Sequence, residues 1–501
     1  MIEKKQQSTY KPYKIVIWSV IFGIIFLLGV ALITLSIWYK NTFDLEFKEL
    51  LYTLASPIKG TGQSTVSQIL GACLPWVCGS AVLYAAFAIC LAKKAFGYRL
   101  CRRICAGFCV VLLLGSMIFA VFAFRIPGYV QALNEKTTIY EEYYIDPETV
   151  NISAEGETKN LIYIYLESME TTYASVAAGG SQPQFNYMPK MTELAKQGIS
   201  FTDKEDGLLG GFHTPNGTTW TMAALLATSS GIPFSFPLGE NGHNKMSQRE
   251  YFATGLTTLG DILEEKGYKQ EFLCGSNATF GGRRSYFEQH GNYEIFDLYT
   301  AREEGYIEED YYVWWGYEDM ILYDIAKDEL TELANGDEPF NFTMLTVDTH
   351  HVNGYFCENC NHYYGERLKN VVYCADSQLA AFVAWIQEQD FYQDSVVIIT
   401  GDHPRMDTTL VGDTDYYDRT IYNCIFNSAV EPEGETTGRI FTSFDMFPTT
   451  LAAMGFEVEG ERLGLGVNMF SGEQTLAEQL GYDYLNAEIN KFSDYYIREF
   501  S

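Results

Sequence analysis

"NLIYIYLESME", residues 160–170, is a near-continuous run of apolar and aromatic β-formers that ends abruptly in carboxylates. A strand with one wet face alternates apolar and polar side chains. A run without alternation has both faces covered, as strands inside a parallel sheet do. "FNFTMLTVDTHH" (340–351) and "DSVVIITGDH" (394–403) repeat the design. Helical periodicity lies between them: Ser377 to Gln389 sets Leu379, Phe382, Val383 and Ile386 on one face. Strands alternating with helices predict an α/β domain with a mostly parallel central sheet sandwiched by helices.

In that architecture ligands bind beyond the carboxyl ends of the strands. All three runs end there in ionisable residues: Glu167 after the first, His350 and His351 after the second, Asp402 and His403 after the third. One polar strand end is commonplace; three of three point to a site. Two carboxylates and an imidazole make a mixed oxygen and nitrogen ligand set for a divalent metal. Glu167, Asp402 and His403 supply it. Taken singly, Asp402 reads as a turn cap and His403 as a satisfied loop histidine.

"HTPNGTTWTMAALLATSSG" (213–231) adds a nucleophile candidate. A Pro-Asn-Gly turn delivers two threonines to a small, aliphatic run that predicts a buried helix. Threonine at a helix start caps free N–H groups, and those same groups favour anions such as phosphate. A threonine hydroxyl needs a base or a metal to activate it. Thr218, preceded by Gly217, meets both needs if its loop faces the metal, with Thr219 as the alternative. The combination suits attack on a phosphoryl or sulfuryl centre.

The charge is unevenly placed. Residues 1–127 hold 13 Lys and Arg against 4 Asp and Glu, and the remainder 21 against 60. The basic end carries three uncharged apolar runs, 15–39, 69–92 and 104–124, each reaching the roughly 20 residues that cross a bilayer core. Lys4, Lys5, Lys11 and Lys14 precede the first; Lys93, Lys94, Arg99, Arg102 and Arg103 lie between the second and third. The positive-inside rule then predicts a multi-pass plasma-membrane protein with a cytoplasmic N-terminus and its acidic bulk extracytoplasmic. Phe43, Phe47, Leu50, Leu51 and Leu54 share one helical face, reading either as a packed connector or as an interfacial helix. The acidic balance excludes nucleic acid as a partner. Residues 1–127 thus form a membrane domain, 128–157 a linker with Pro147 as a breaker, and 158–501 the catalytic domain. Among the outer cysteines, Cys357 and Cys360 are expected in a disulfide, with each other or through one of them to Cys374; Cys274 and Cys424 complete the set.

"TTWTMAALLAT" (218–228), with "YLESME", "DTHHVNGY", "GDH" and the C-terminal "FDMFPTTLAAMGFEVEGERLGLGVNMFSG" (444–472), resembles the sulfatase and alkaline-phosphatase superfamily. The nearest branch holds lipoteichoic acid synthases and membrane phosphoglycerol transferases, especially those of the osmoregulated-glucan type. The likeness implies metal ligands at Glu167, Asp402 and His403, and Thr218 as both nucleophile and fourth ligand. The implied metal is manganese, with magnesium as the alternative. It implies a substrate-side histidine at His350 or His351. A cationic headgroup contact falls in "FGGRRSYF" (280–287), at Arg283 or Arg284. "WWGYEDM" (314–320) resembles a headgroup-pocket segment, implying roles for Trp315 and Asp319. The segment around Arg405 departs from the branch, so Arg405 stays outside the expected site.

The implied activity is transfer of sn-glycerol-1-phosphate from phosphatidylglycerol to a cell-envelope glycan or polyol-phosphate polymer of the teichoic acid type. It would pass through a phosphoglyceryl-threonine intermediate. Phosphoethanolamine transfer, polymerising lipoteichoic acid synthesis and metal-dependent phosphodiester hydrolysis are the alternatives. The Cys/Ser-x-Pro-x-Arg signature of arylsulfatases is absent from the Thr218 segment.

Overall fold

The computed structural model describes residues 12–43, 47–55, 63–92, 98–154, 156–235, 252–412, 414–415 and 418–500. The chain divides into two compact units, one of residues 1–47 and 63–130, the other of residues 48–62 and 131–501.

The first unit is built on helices α1 (Pro12–Thr42), α3 (Gln63–Ala92) and α4 (Tyr98–Ala123); α2 (Phe47–Ala55) falls mainly in the second unit. Within the first unit, the stretches Val16–Thr42, Ser67–Ile89 and Arg103–Ala123 are long and apolar enough to cross a membrane. They match the three expected spans to within a few residues. Tyr84 of α3 reaches across to α1, its hydroxyl donating to the Ser19 carbonyl at 2.6 Å while its ring stacks on Phe26. Lys4, Lys5, Lys11, Lys93 and Lys94, on which the expected orientation rests in part, lie outside the described residues.

The second unit is organised by a six-stranded sheet. Its strands are β1 (Asn160–Leu166), β2 (Lys269–Cys274), β3 (Glu294–Phe296), β4 (Phe340–Leu345), β5 (Ser395–Gly401) and β6 (Asn423–Phe426). They lie in the order β3-β2-β4-β1-β5-β6, all parallel except β6, which pairs antiparallel with β5. The lack of alternation in the three apolar runs has its expected cause. Leu161, Tyr163 and Tyr165 of β1 enter one hydrophobic core, and Ile162, Ile164 and Leu166 enter a second on the opposite face. In β5, Val396 and Ile398 part from Val397 and Ile399 in the same way.

Helices α5 (Thr221–Ser230) and α8 (Met446–Met454) fill the first core; α6 (Asp319–Ala334) and α7 (Arg367–Gln387) fill the second. Leu379, Phe382, Val383 and Ile386 are buried as the periodicity predicts. The helix starts ten residues earlier than expected, its inward stripe continuing through Leu368, Val371 and Val372.

One expected boundary is corrected. Residues 128–157, read as a linker, are largely folded: helices span Ile126–Asn134 and Ile139–Tyr143, and Ile152–Ser153 pairs antiparallel with Glu457–Val458. Ile139 and Tyr140 are buried in the first core. The acidic, mixed composition of the segment hides these anchors, because only a few of its residues turn inward.

Candidate active site

Strand register brings the site together. Leu166 pairs with Gly401, so Glu167 and Asp402, each the next residue, leave the sheet side by side. The Asp402 amide donates to the Leu166 carbonyl at 3.1 Å, extending the ladder one step further. Ser168 turns the chain through a left-handed conformation (φ 52°) that non-glycine residues adopt only when their surroundings hold them. Here Ser168 N–H donates to Asp402 Oδ1 at 2.7 Å, and its hydroxyl donates to Glu167 Oε1 at 2.6 Å. The Glu167 N–H donates to Thr346 Oγ1 at 3.0 Å, fastening the β1 turn to the end of β4.

Asp402 Oδ1 also accepts the His403 N–H at 2.7 Å, leaving Oδ2 buried with no hydrogen-bond partner. His403 Nε2 lies 3.4 Å from Asp402 Oδ2 and 3.5 Å from Glu167 Oε1. Its Nδ1 faces the Pro404 carbonyl at 2.8 Å, a partner that only an N–H can serve. The proton therefore sits on Nδ1, and Nε2 turns a lone pair toward the carboxylates, the arrangement of a metal-binding histidine. Glu167, Asp402 and His403 are buried, with ligand atoms within 4.8 Å of one another.

The electrostatics suit a cation site. Burial pushes Asp402 up to about 7, and the Glu167 charge adds to it. Burial also pushes Glu167 up, but the facing His350 and His403 and the Ser168 and Thr221 hydroxyls outweigh it and hold the group below the usual range. Burial would lower His403, yet the Asp402 and Glu167 charges prevail and raise it. Two crowded carboxylates, an imidazole lone pair and an orphaned oxygen are the donor set that a divalent cation satisfies.

The hydroxyl that hydrogen-bonds at this set is that of Thr221, three residues beyond the Thr218 expected there. Thr221 Oγ1 lies 3.3 Å from Glu167 Oε2 and 3.3 Å from His403 Nε2. It is the first residue of α5 and is partly exposed. Thr218 and Thr219 are fully buried. Thr218 donates its hydroxyl to the Pro215 carbonyl at 2.8 Å, closing the turn that Gly217 makes at φ 81°. Thr219 donates to Glu49, a buried carboxylate of α2. The helix thus begins three residues later than the Pro-Asn-Gly turn suggests, with Thr218 bonded within the turn and Thr219 bonded to α2.

Around the ligand set stands an aromatic wall. The half-buried His350 packs on Trp315 (ring centroids 4.5 Å apart) and on His351 (4.3 Å). Trp315 in turn meets Phe280 at 5.5 Å, with the Arg283 guanidinium over the far ring. His350 Nδ1 faces the His351 carbonyl at 2.7 Å. Burial lowers both imidazoles below the ordinary histidine value, against the pull of Glu167 on His350.

The remaining expected contacts divide. Arg283 is buried and held by Ser276 Oγ and the Phe280 and Asn277 carbonyls. Arg284 pairs with Asp297 at 2.8 Å and with Glu288 at 3.2 Å. Asp319, expected in the headgroup pocket, accepts the Val347 and Asp348 N–H groups at 2.7 and 3.1 Å. It shapes the loop that carries His350.

Arg405, left outside the expected site, proves central to the loop. It is fully buried, with Nε on Asp407 at 2.8 Å and Nη1 on the Thr349 carbonyl at 2.7 Å. Its own N–H donates to Glu170 Oε1, which Arg419 also holds. The charges in "ESME" and "GDHPRMD" were visible in sequence, but their pairing joins residues 235 positions apart. The expected disulfide is likewise corrected: Cys357, Cys360 and Cys374 are three free thiols in one buried cluster.

A mostly parallel α/β sandwich with a carboxylate, carboxylate, histidine and hydroxyl set at its strand ends fits a metal-dependent enzyme class acting on phosphoryl or sulfuryl centres. The chain belongs to the Sulfatase family, whose model matches residues 159–456. It is 28% identical over 442 residues to phosphoglycerol transferase I of Escherichia coli, a match spanning 85% of this chain and 53% of that protein. The chain therefore spans about half the length of the curated relatives it matches.

Among solved structures, it is similar to the lipoteichoic acid synthase LtaP from Listeria monocytogenes (TM-score 0.50, 17% identity, 65% of this chain and 82% of that one). It is also similar to the lipooligosaccharide phosphoethanolamine transferase EptA from Neisseria meningitidis (TM-score 0.50, 14% identity, 88% and 84%). These likenesses establish the fold.

Proposed function

We propose that the protein is a membrane-bound phosphotransferase that moves sn-glycerol-1-phosphate from phosphatidylglycerol to a hydroxyl of an envelope glycan or polyol-phosphate polymer. One observation carries the chemistry: Thr221, at a helix N-terminus, places its hydroxyl against Glu167 and His403 while remaining partly exposed. The relationship to a phosphoglycerol transferase supports the choice of group transferred.

Glu167, Asp402, His403 and the Thr221 hydroxyl would hold a divalent ion, manganese in this reading. When bound, that ion lowers the hydroxyl's pKa and offsets charge on the phosphoryl oxygens. Thr221 Oγ, its proton released to solvent when the ion is bound, attacks the lipid phosphorus, the bond to the diacylglycerol oxygen breaks, and a phosphoglyceryl-threonine ester remains. N–H groups of the first turn of α5 face the phosphoryl oxygens. With His350 Nδ1 committed to a carbonyl, its Nε2 is where protons are exchanged with substrate. It hands a proton to the departing diacylglycerol oxygen and later takes one from the acceptor hydroxyl, whose oxygen attacks the phosphorus as the bond to Thr221 Oγ breaks. Trp315 walls the headgroup, and Arg283 lies behind it. The three apolar helices keep the enzyme on the bilayer that holds its donor, with the catalytic domain extracytoplasmic.

Purified enzyme in mixed micelles with manganese tests the donor. Diacylglycerol released from phosphatidylglycerol supports the proposal. Release from phosphatidylethanolamine alone contradicts it, and glycerol phosphate freed without an acceptor at the full rate makes the enzyme a hydrolase.

A further inference from the structure

A second cluster of ligating side chains lies outside the site just described. Cys357, Cys360 and Cys374 are buried, and their sulfurs all lie within 4.8 Å of one another. Cys357 Sγ is 3.5 Å from Cys360 Sγ and 3.7 Å from Cys374 Sγ. Ligands at the zinc–sulfur distance of about 2.3 Å in a tetrahedron stand about 3.8 Å apart, close to both separations. A disulfide would join two of these thiols at about 2.05 Å and leave the third stranded.

Two neighbours are arranged as partners for charge rather than for neutral thiols. Gln378 Nε2 points at the cluster, 3.5 Å from Cys374 Sγ and 3.9 Å from Cys357 Sγ, as an N–H donor to thiolate would. Asp348 is buried, and both its carboxylate oxygens are without a hydrogen-bond partner. A buried carboxylate without donors is costly unless a cation lies near. Burial first, then the Asp319 and Cys357 charges, push Asp348 well above the usual carboxylate range, and among the described residues it forms no ion pair.

We propose that Cys357, Cys360 and Cys374 hold a thiophilic divalent cation of the zinc class, in a site separate from the one at the strand ends. The spacing fits the ligand geometry. Cys357-x-x-Cys360 supplies two sulfurs from one tight turn, closed by the Cys360 N–H on the Cys357 carbonyl at 3.1 Å. The third sulfur comes from α7, whose inner face is locked into the second core. The ion would tie the segment after His350 and His351 to that helix. Its role is structural, holding the segment that leads away from the substrate-side histidines.

The test uses the full-length enzyme purified in detergent under reducing conditions, with metal content measured by elemental mass spectrometry after incubation with zinc alone and desalting. One zinc per chain should survive in the Asp402→Asn/His403→Ala double variant, where the strand-end site is disabled, and be lost when Cys374→Ser is added to that variant. Cobalt replacement should give a thiolate charge-transfer absorption in the wild type that Cys357→Ser lacks. A measurement on the wild type alone guards against misfolded variants: chelator should speed alkylation of all three cysteines together. The proposal is overturned if zinc binding disappears with the strand-end ligands and not with the cysteines. Peptide mapping that finds two of the three thiols in a disulfide in metal-treated enzyme overturns it equally.

Discussion

Thr218→Ala and Thr221→Ala should separate stability from chemistry. Thr218 is fully buried, and its hydroxyl donates to the Pro215 carbonyl at 2.8 Å. That carbonyl also accepts the Thr218 N–H at 3.1 Å, so it stays satisfied in the variant. The loss is one net hydrogen bond, about 1 kcal/mol, plus about 1 kcal/mol for a vacated methyl group. Thr218→Ala should therefore lower Tm by a few degrees and leave lipid turnover within about threefold of wild type, a residual barrier change of under about 1 kcal/mol.

Thr221 is partly exposed, and its contacts to Glu167 and His403 are long, at 3.3 Å each. Its removal should change stability by less than about 0.5 kcal/mol. Turnover should fall by a factor on the order of 10^3 to 10^6, the range seen when a covalent nucleophile is deleted. The assay is diacylglycerol release from phosphatidylglycerol, with thermal unfolding measured on the same preparations. Near-wild-type turnover in Thr221→Ala, or abolished turnover in Thr218→Ala at unchanged Tm, would refute the reasoning.

Other outcomes follow from the same contacts. Metal binding to chelated enzyme at pH 6 should release protons, because Asp402 is pushed up to about 7 and His403 is raised; the release, read by pH-stat, should shrink as the pH passes above 7. The metal-free protein should also lose stability as pH rises from about 4 to about 7, since a carboxyl raised on folding stabilises only while protonated. Arg405→Met strands buried Asp407 and frees the Thr349 carbonyl, so unfolding free energy should drop by about 3–5 kcal/mol. Arg405→Lys should not rescue it, because one ammonium cannot reproduce the guanidinium fork. Trp315→Ala should raise KM for the lipid more than it lowers kcat, because the indole is a wall beside His350 and not a reacting group.

Much of this was legible in the chain itself. The three apolar runs at 160, 340 and 394 announce buried parallel strands, and their register alone sets Glu167 beside Asp402. What was not legible depended on where a turn ends. Threonines 218, 219 and 221 are equivalent in composition, and a Gly-preceded Thr218 reads as the helix start. The first turn is instead spent on Pro215 and Glu49, and α5 begins at Thr221. Asp319 was expected in the pocket because "WWGYEDM" resembles a headgroup-pocket segment, and the sequence could not show that its carboxylate accepts two backbone N–H groups of the Val347 loop. Arg405 was left out because its segment departs from the resembled branch, and its long-range pairing to Thr349 and the Glu170 turn is not registered by periodicity or spacing. The cysteine trio combines a local Cys-x-x-Cys turn with a helix residue fourteen positions on, and only the packing of α7 brings the third sulfur in.

The central claim is that Thr221 becomes covalently loaded. Enzyme mixed with manganese and phosphatidylglycerol, quenched in acid before acceptor is added and digested, should yield a peptide carrying one phosphoglyceryl group. Fragmentation should place that group on Thr221. An adduct on Thr218 or Thr219, or an unmodified peptide from enzyme that is turning over lipid with its metal bound, would contradict the account.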